Sequence, residues 1–436
     1  MSGGEEIDSY ELSVEEKELR AGPLSREMAP FMVIFTGQAF SLFGSRLVQF
    51  ALVWWITETT GLASTLAFAS IMAMLPQVLL GPFAGALVDR WNRRVVMMIS
   101  DALVALVVLV LAILYLTGAT QMWHIFVAMF IRSIGGAFHW TAMQATTSVM
   151  VPKENLSRVA GLNQSLMGLA NIVAPPLGAF LLEMIPIQTI LMIDVSTALV
   201  AVGPLFFIHV PQPVREIREI QGIRTMLSDM REGVRFVWEW RGLRMIMGMS
   251  MLINFLMSPA FSLLPLVVTN HFDGGPTELA WFQSASGIGM IAGGLILSAW
   301  GGFKKRIVTA MLAVVMSGAF ILIFSVTPSN LFLLAVVCIF LFAVTNAMAN
   351  GVFFASLQSI VPANIQGRVF TILMSLSGGM TPVGLAFAGP VSDLLGIRIW
   401  FVIGGMVFVL MGAGSFLSPT IMNVEEEKNE NSSTNS

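Results

Sequence analysis

Twelve long apolar segments constrain the fold of this chain more than any other feature of its sequence. A helix needs about 20 mostly apolar residues to cross roughly 30 Å of hydrocarbon. The twelve spans that meet this length lie near 30–57, 64–88, 95–117, 122–150, 160–183, 187–209, 244–270, 278–300, 307–327, 330–358, 368–392 and 398–420. Only 11% of the residues are charged, against roughly 25% in soluble domains. The sequence therefore predicts an all-α integral membrane protein in a lipid bilayer.

The basic residues predict which ends of the spans face the cytoplasm. Twenty of the 23 lysines and arginines lie in the two tails and in the even-numbered loops. Cytoplasmic segments of membrane proteins carry an excess of such residues. We therefore expect both termini to be cytoplasmic.

Net charge and reactive side chains narrow the function classes. A net charge of −3 offers no basic surface for nucleic acid, so we expect no nucleic-acid partner. The four histidines and the single cysteine, Cys338, are scattered along the sequence. Their spacing is not typical of a metal site or of a nucleophile with its base. We expect no metal, no cofactor and no enzymatic activity.

An internal repeat divides the spans into two sets of six. With an offset of 210, the segment VPKENLSRVAGLNQSLMG from residue 151 aligns with VPANIQGRVFTILMSLSG, and Glu183 aligns with Asp393. The predicted organisation is a cytoplasmic acidic tail at 1–29, a first half at 30–209, a central cytoplasmic loop at 210–243, a second half at 244–420 and a cytoplasmic tail at 421–436. Two parallel six-span halves are typical of carriers in which one half rocks against the other.

The central loop contains a helical pattern of its own. Met226, Met230, Val234 and Val237 fall on one face of the segment IRTMLSDMREGVRFVWEW, with arginines on the other face. Such a helix suits the cytoplasmic surface of a membrane. A solvated linker helix is the alternative interpretation.

The loop after the second span carries a motif that resembles a family signature. The segment GALVDRWNRR contains Gly85, Asp89, Arg90, Arg93 and Arg94. We expect the glycine to allow close helix approach and the arginines to bond loop carbonyls and the acid. This spacing resembles the loop signature of the major facilitator superfamily. Asn92 stands where the family has glycine, and asparagine also tolerates a left-handed backbone.

Further stretches are similar to the macrolide-efflux branch of that superfamily. They are GQAFSL at 37, IRSIGGAFH at 131, VPKENL at 151, NQSL at 163 and GGF at 301. In the second of these, RSIGGA, which begins at Arg132, resembles the arginine motif of the superfamily's fourth span, and GLANIVAPPLGAF in the fifth span resembles a degenerate antiporter signature. The fifth span departs from the antiporter signature, because Ala174 and Ala179 replace glycines. The resemblance covers residues 30–420 and implies a twelve-helix major facilitator fold in two pseudo-symmetric halves.

The same resemblance implies a function. It predicts secondary active efflux of amphiphilic, macrolide-like drugs across a bacterial cytoplasmic membrane by proton antiport, with a small amphiphile, protons and lipid as partners of a monomer. Two alternatives stay open. One is an exporter of the same fold for an endogenous amphiphile, such as a lysophospholipid or a siderophore. The other is a membrane sensor or scaffold without transport.

Four ionisable residues within the first six spans are candidates for proton coupling: Arg46, Asp101, Arg132 and Asp194. Charged residues inside a membrane are rare and usually functional. Two cations and two acids predict mutual pairing, because an unpaired buried charge costs about 3–5 kcal/mol. For Asp101 the alternative is a structural contact with the loop arginines or a neighbouring helix, and for Asp194 it is structural pairing. For Arg132 we expect a role in tuning a carboxylate or lining a cavity.

Polar stripes on spans 1, 4, 7 and 10 predict a central substrate cavity. The candidate lining residues are Gln38, Gln49, His139, Met143, Asn254, Phe261, Asn346 and Asn350. Polar groups flanked by bulky apolar side chains suit a large amphiphile better than a sugar or an ion. The alternative is that these polar groups join helix to helix, and for His139 that it is a hydrogen-bonded packing residue.

Overall fold

Twelve membrane-length helices form the molecule, as the computed structural model shows. The structure describes residues 28–212, 235, 237, 238, 240–361 and 365–422, in which there are helices and no strands. The first six helices are α1 (Ala29–Thr60), α2 (Ala63–Val88), α3 (Arg93–Leu116), α4 (Met122–Met150), α5 (Leu156–Met184) and α6 (Ile187–Phe207). The others are α7a (Arg241–Ser262) with the short α7b (Leu264–Phe272), α8 (Pro276–Trp300), α9 (Arg306–Val326), α10 (Phe332–Ile360), α11 (Gln366–Leu395) and α12 (Arg398–Phe416). Twelve of these are long and apolar enough to cross a membrane, which confirms the predicted fold class.

The seventh span is broken, where the sequence predicts one continuous helix over 244–270. Leu263 lies between α7a and α7b with φ −93° and ψ 2°. Pro259 falls in the last turn of α7a and Pro265 in the first turn of α7b. A proline ring clashes with the preceding turn and lacks a donor, but it is tolerated in a first turn. The two prolines explain why the helix ends and restarts here.

The two halves are built in the same way. In the first half α2 packs on α4 and α3 packs on α6, and in the second half α8 packs on α10 and α9 on α12. The halves meet through two long contacts, α2 with α11 and α5 with α8. Each contact therefore joins helices of opposite halves.

The contacts between the halves differ along the bundle, as two pairs of positions in the described residues show. We call the end that carries Met28 and Met422 the inner end, and the opposite end the outer end. At the outer end a Cβ atom on Gly389 of α11 would lie 2.8 Å from Ser64 Cα of α2. Toward the inner end, no described atom lies within 4 Å of the Cβ position of Gly85 on α2 or of Gly378 on α11. Among the described residues, the halves are thus in contact at the outer end and apart at Gly85 and Gly378.

The central loop is described only at its two ends, at 210–212 and from 235 onward with gaps. Val237 is buried among Leu243, Leu357 and Val369. The other three apolar residues of the predicted amphipathic helix, at 226, 230 and 234, lie outside the described residues, as do the tails at 1–27 and 423–436. The choice between a surface helix and a linker helix stays a prediction.

Candidate substrate and proton site

A cavity of about 650 Å³ lies in the first half, with walls from α1 to α6. Polar residues spaced along one face of α1 reach it, and so does one face of α4. The predicted site residues in its wall are Gln38, Arg46, Gln49, Asp101, Arg132, His139 and Met143. The cavity therefore brings together candidates from three helices that are far apart in the sequence.

Arg132 forms an ion pair with Asp194 in the interior of the first half. Its Nη1 atom lies 2.7 Å from Asp194 Oδ2, and its Nη2 atom donates to the Ser45 carbonyl at 3.2 Å. Ser45 Oγ donates to the second carboxylate oxygen, Asp194 Oδ1, at 3.0 Å. The Asp194 side chain is only 2% exposed. Removing water from two charges is offset only when the pair has such geometry and further hydrogen bonds.

Gly44 allows α1 to lie against α6 beside this pair. A Cβ atom at this position would lie 3.1 Å from Asp194 Oδ1 and would collide with Thr197 Oγ1. Gly44 thus keeps three helices, α1, α4 and α6, close enough for Ser45, Arg132 and Asp194 to bond one another. Asp194 is not part of the cavity wall, whereas Arg132 is.

Asp101 is bonded to neighbouring helices, one of the two structural alternatives that the sequence offered. Gln38 Nε2 donates to Asp101 Oδ2 at 3.0 Å, and His139 Nε2 lies 3.4 Å from Asp101 Oδ1. The interpretation of Asp101 as a partner of the loop arginines is wrong. Its contacts come from neighbouring helices, α1 and α4, and it lines the cavity.

His139 lies beside Asp101 in the wall of the first cavity. The distance from its Nε2 atom to Asp101 is within ion-pair reach, but Nε2 makes no hydrogen bond within the described part of the chain. When protonated, the imidazole would form a charged pair with Asp101. It thus places a titratable group next to a carboxylate in the cavity wall.

Arg46 is not paired, contrary to the prediction that two cations and two acids compensate one another. It is exposed in the cavity wall, and it has no hydrogen bond or ion pair with any residue that the structure describes. Because Arg46 is exposed in the cavity wall, its charge is only partly desolvated by the surrounding helices, and a cation that keeps part of its hydration costs less without an acid than a fully buried one.

A second cavity, of about 370 Å³, lies in the second half. All four candidates from this half line it: Asn254, Phe261, Asn346 and Asn350. The described wall residues include no ionisable side chain; phenylalanines, methionines, serines and the three asparagines make up most of it. This cavity is therefore neutral and aromatic, whereas the first is charged.

The asparagines of the second cavity bond within their own helices. Asn254 Nδ2 donates to the Ser250 carbonyl at 3.0 Å, and Asn350 Nδ2 donates to Asn346 at 2.9 Å. These are contacts one turn apart, so they do not join one helix to another. Phe261 stacks on Phe342, with ring centroids 5.1 Å apart. The arrangement favours the lining interpretation over the helix-joining one.

The loop between α2 and α3 ties the inner ends of several helices together. Arg93 Nη1 donates to the Ala145 carbonyl of α4 at 2.8 Å, and Arg94 Nη2 donates to the Phe206 carbonyl of α6 at 2.6 Å. Arg93 also lies 3.6 Å from Asp89. The two arginines thus bond carbonyls at the inner ends of α4 and α6, and Arg93 also pairs with the Asp89 carboxylate. Arg90 is exposed on the surface.

Two details of this motif differ from expectation. Gly85 has no described atom near its Cβ position, so the close approach predicted for it is absent in this conformation. Asn92 has φ −69° and ψ 111°, an extended backbone, and its side chain accepts from the Val95 amide at the start of α3. Asn92 therefore acts as a helix N-cap rather than as a left-handed turn residue.

Two amide side chains in the wall of the first cavity are not among the candidates from the sequence. Gln77 of α2 and Asn163 of α5 line the first cavity. Each is an amide side chain within an otherwise apolar stretch, and that isolation is the signal that marks them. The polar stripes on spans 1, 4, 7 and 10 do not predict them, because Gln77 and Asn163 lie on spans 2 and 5.

Two six-helix halves, a cavity in each, and contacts between the halves at one end define a membrane transporter. The chain matches the model of the family described as Major Facilitator Superfamily over residues 34–385, and the protein belongs to that superfamily. It is 31% identical to macrolide efflux protein A of Streptococcus pyogenes over 379 residues, which cover 87% of this chain and 93% of the relative. It is 25% identical to the multidrug efflux pump Tap of Mycolicibacterium fortuitum over 406 residues, which cover 91% and 97% of the two chains. The resemblance predicted from the motifs is confirmed, and the protein is a multipass bacterial membrane protein of this superfamily.

Solved structures show the same fold. A POT family transporter in complex with a peptide conjugate superimposes with a TM-score of 0.67 at 10% identity, covering 89% of this chain and 96% of that one. The nucleoside transporter NupG superimposes with a TM-score of 0.63 at 14% identity, covering 87% and 97%. At such identities the likeness is one of fold alone.

Proposed function

We propose that the protein exports amphiphilic drugs, with macrolide-like compounds as the leading substrates, in exchange for protons and by alternating access. One observation carries the proposal: a carboxylate, Asp101, lies in the wall of a cavity of about 650 Å³ with an imidazole 3.4 Å away. A carboxylate in such a place can exchange a proton while a cargo is bound. The names of the relatives, macrolide efflux protein A and multidrug efflux pump Tap, support export of drugs.

The two acids of the first half are both candidates for the proton carrier, and their positions differ. Protonation of Asp101 would remove its attraction for His139 and for a basic cargo. Protonation of Asp194 would release Arg132 from an ion pair that joins α4 to α6. Asp101 is in the cavity wall and Asp194 is not, so a proton arriving through the cavity meets Asp101 first.

The two cavities suit the two ends of an amphiphile. The charged wall of the first cavity would hold the polar or basic end, and the aromatic wall of the second, with Phe261 and Phe342, would hold the apolar body. Aromatic side chains supply large contact areas for such a body. The cavity asparagines would accept or donate hydrogen bonds to uncharged polar groups.

The proposed orientation places both termini in the cytoplasm of a bacterial cell with a monomer in the cytoplasmic membrane. The distribution of lysine and arginine supports this orientation. In that orientation the inner end, where the halves are apart at Gly85 and Gly378, faces the cytoplasm, and the structure corresponds to the state that loads cargo. Export then requires the inner end to close and the outer end to open.

The test is the accumulation of labelled erythromycin in cells that express the protein, with and without a protonophore. Low accumulation that rises when the proton gradient collapses would support proton-driven macrolide export. Accumulation equal to that of cells without the protein would remove macrolides from the proposal, and the search would turn to endogenous amphiphiles. Asp101→Asn and Asp194→Asn are then compared. If both transport normally with an unchanged pH dependence, the coupling assigned to these acids is wrong.

A further inference from the structure

A carboxylate of the second half caps a helix of the first half at the outer end. Asp393, in the last turn of α11, accepts from the backbone amide of Ala63 at 2.7 Å and from that of Ser64 at 3.0 Å. The Ser64 hydroxyl also donates to it. These amides open α2 and have no partner within their own helix. A negative charge at this point also interacts favourably with the helix dipole.

A second carboxylate makes a related contact across the other inter-half boundary. Glu183, in the last turn of α5, accepts from the Thr277 hydroxyl at 2.7 Å, and Thr277 is in the first turn of α8. In this case the acid belongs to the first half and the helix start to the second half. One hydrogen bond is made here, against three at Asp393.

The internal repeat relates these two contacts. Glu183 aligns with Asp393 at the offset of 210, and α5 and α8 correspond to α11 and α2 in the repeat. Each contact joins the end of one helix to the start of a helix in the opposite half. Because opening the outer end must move these helices apart, both contacts can exist only while that end is closed.

We propose that Asp393 and Glu183, here called the outer carboxylate pair, hold the transporter closed at its outer end, and that Asp393 contributes more of this stabilisation. The proposal rests on the alternating access of the proposed function, though not on its substrate or on protons. A contact present in one state and absent in the other shifts the equilibrium by its own free energy. Loss of the pair would therefore raise the fraction of molecules that are open at the outer end.

The test measures access of a reagent to the outer contact between α2 and α11. Ala67 is 2% exposed and lies against Gly389 of α11. In a Cys338→Ser background, Ala67→Cys places a single thiol there, and its rate of reaction with a bulky fluorescent maleimide is measured in lipid nanodiscs. Asp393→Asn should raise this rate about fivefold, the order expected for one charge at a helix start. Glu183→Gln should raise it about twofold, and the double variant about tenfold.

Glu278→Gln is the matched control. Glu278 also caps a helix start at the outer end, since its Oε2 atom accepts from the Gly275 amide at 2.7 Å, but both residues belong to the same half. Its neutralisation should leave the rate unchanged. Equal rates for Asp393→Asn and the parent, or an equal rise for Glu278→Gln, would overturn the proposal.

Two further variants keep the test decisive if Asp393→Asn does not fold. Ser64→Ala and Thr277→Val each remove one hydroxyl donor and leave both carboxylates in place, so each should raise the rate by about twofold, the low end of the range for one hydrogen bond. If neither changes the rate, the outer carboxylate pair does not hold the closed state. The assay uses neither drug nor proton gradient, so failure of macrolide export would leave its result standing.

Discussion

The two halves of this transporter share a helix arrangement and differ in the chemistry of their cavities. In the first half Asp101 of α3 faces His139 of α4. In the second half the corresponding helices, α9 and α10, are joined by neutral hydroxyls, with Ser317 Oγ 2.7 Å from Thr345 Oγ1. The first cavity has four ionisable residues in its wall, and among the described wall residues the second has none.

This difference bears on why the charges are present. The second half shows that a six-helix unit of this architecture packs without an ionisable group at its cavity. Its helices pack through close contacts between backbones: a Cβ atom on Gly318 of α9 would lie 2.7 Å from the Gly405 carbonyl of α12. The fold thus does not require the first-half charges, and because buried charges are costly, their presence favours a role in transport.

The largest effect is expected from breaking the ion pair of the first half. Arg132→Met leaves the Asp194 carboxylate, 2% exposed, without its cation, and should lower the free energy of unfolding by about 3–5 kcal/mol. Thermal unfolding in detergent measures the loss. Ser317→Ala in the second half removes only a hydrogen bond and should cost about 0.5–1.5 kcal/mol.

The double variant Arg132→Met, Asp194→Asn separates stability from transport. With no charge left to bury, most of the lost stability should return, because a neutral side chain costs far less to bury than an unpaired ion. Efflux should remain lost if the pair takes part in coupling. A double variant that is as unstable as Arg132→Met alone would show that the single change acts through packing and not through the orphaned charge.

The next effect concerns proton dependence. Asp101→Asn keeps a partner for Gln38 and should change stability by less than about 1 kcal/mol, yet we expect proton-driven efflux to fall at least tenfold and to become independent of pH. Uptake of labelled drug into inside-out vesicles, with an imposed pH difference, is the measurement. The sign follows from the chemistry: an amide cannot release a proton at any pH.

Asn346→Asp is the complementary change in the second half. It adds a carboxylate to the neutral cavity without touching Asp101. We expect it to alter which cargoes are transported and to leave the pH dependence of the original cargo in place. A pH profile that survives in Asp101→Asn, or is lost in Asn346→Asp alone, contradicts the division of roles between the halves.

The fold was predictable because the features that determine it are local and repeated. Span length, the basic loops and the alignment of Glu183 with Asp393 are all visible in the letters of the sequence. The break in the seventh span was missed, although Pro259 and Pro265 were present as a signal. The segment 244–270 is mostly apolar, which favours one continuous membrane helix, and prolines inside membrane helices are often tolerated.

The sequence predicted which residues belong to the site, but not which of them pair with one another. Polar residues inside apolar spans could be found one by one, and the structure brings eleven of the twelve cavity and proton candidates into the two cavity walls. Which acid faces which cation depends on how α1, α3, α4 and α6 approach one another. Gly44 allows α1 to lie close to α6. The periodicity of the sequence does not reveal that Arg132 pairs with Asp194 while Arg46 stays exposed in the cavity wall.

A smaller effect is expected from the amides of the second cavity. Asn350→Ala removes a side chain that is held toward Asn346 by hydrogen bonds of 2.9 Å. We expect the apparent affinity for a macrolide cargo to fall about threefold to tenfold, the value of one hydrogen bond. Binding measured by tryptophan fluorescence quenching tests this, and an unchanged pH dependence distinguishes it from Asp101→Asn. No change for several cargoes would remove this residue from the binding surface.

The smallest effect is expected at Arg46, the one cation in the described part of the first cavity wall that has neither an acid nor a hydrogen-bond partner. Arg46→Gln removes an exposed charge and should change the free energy of unfolding by no more than about 0.5 kcal/mol. A cationic cargo should then bind about twofold to threefold more tightly, since charges in contact with water repel only weakly. A neutral amphiphile of the same size should be unaffected, and Arg46→Lys should resemble the parent. If Arg46→Gln instead destabilises the protein as strongly as Arg132→Met, Arg46 is paired in the molecule, and the contrast between a bonded and a free cation in the first half is lost.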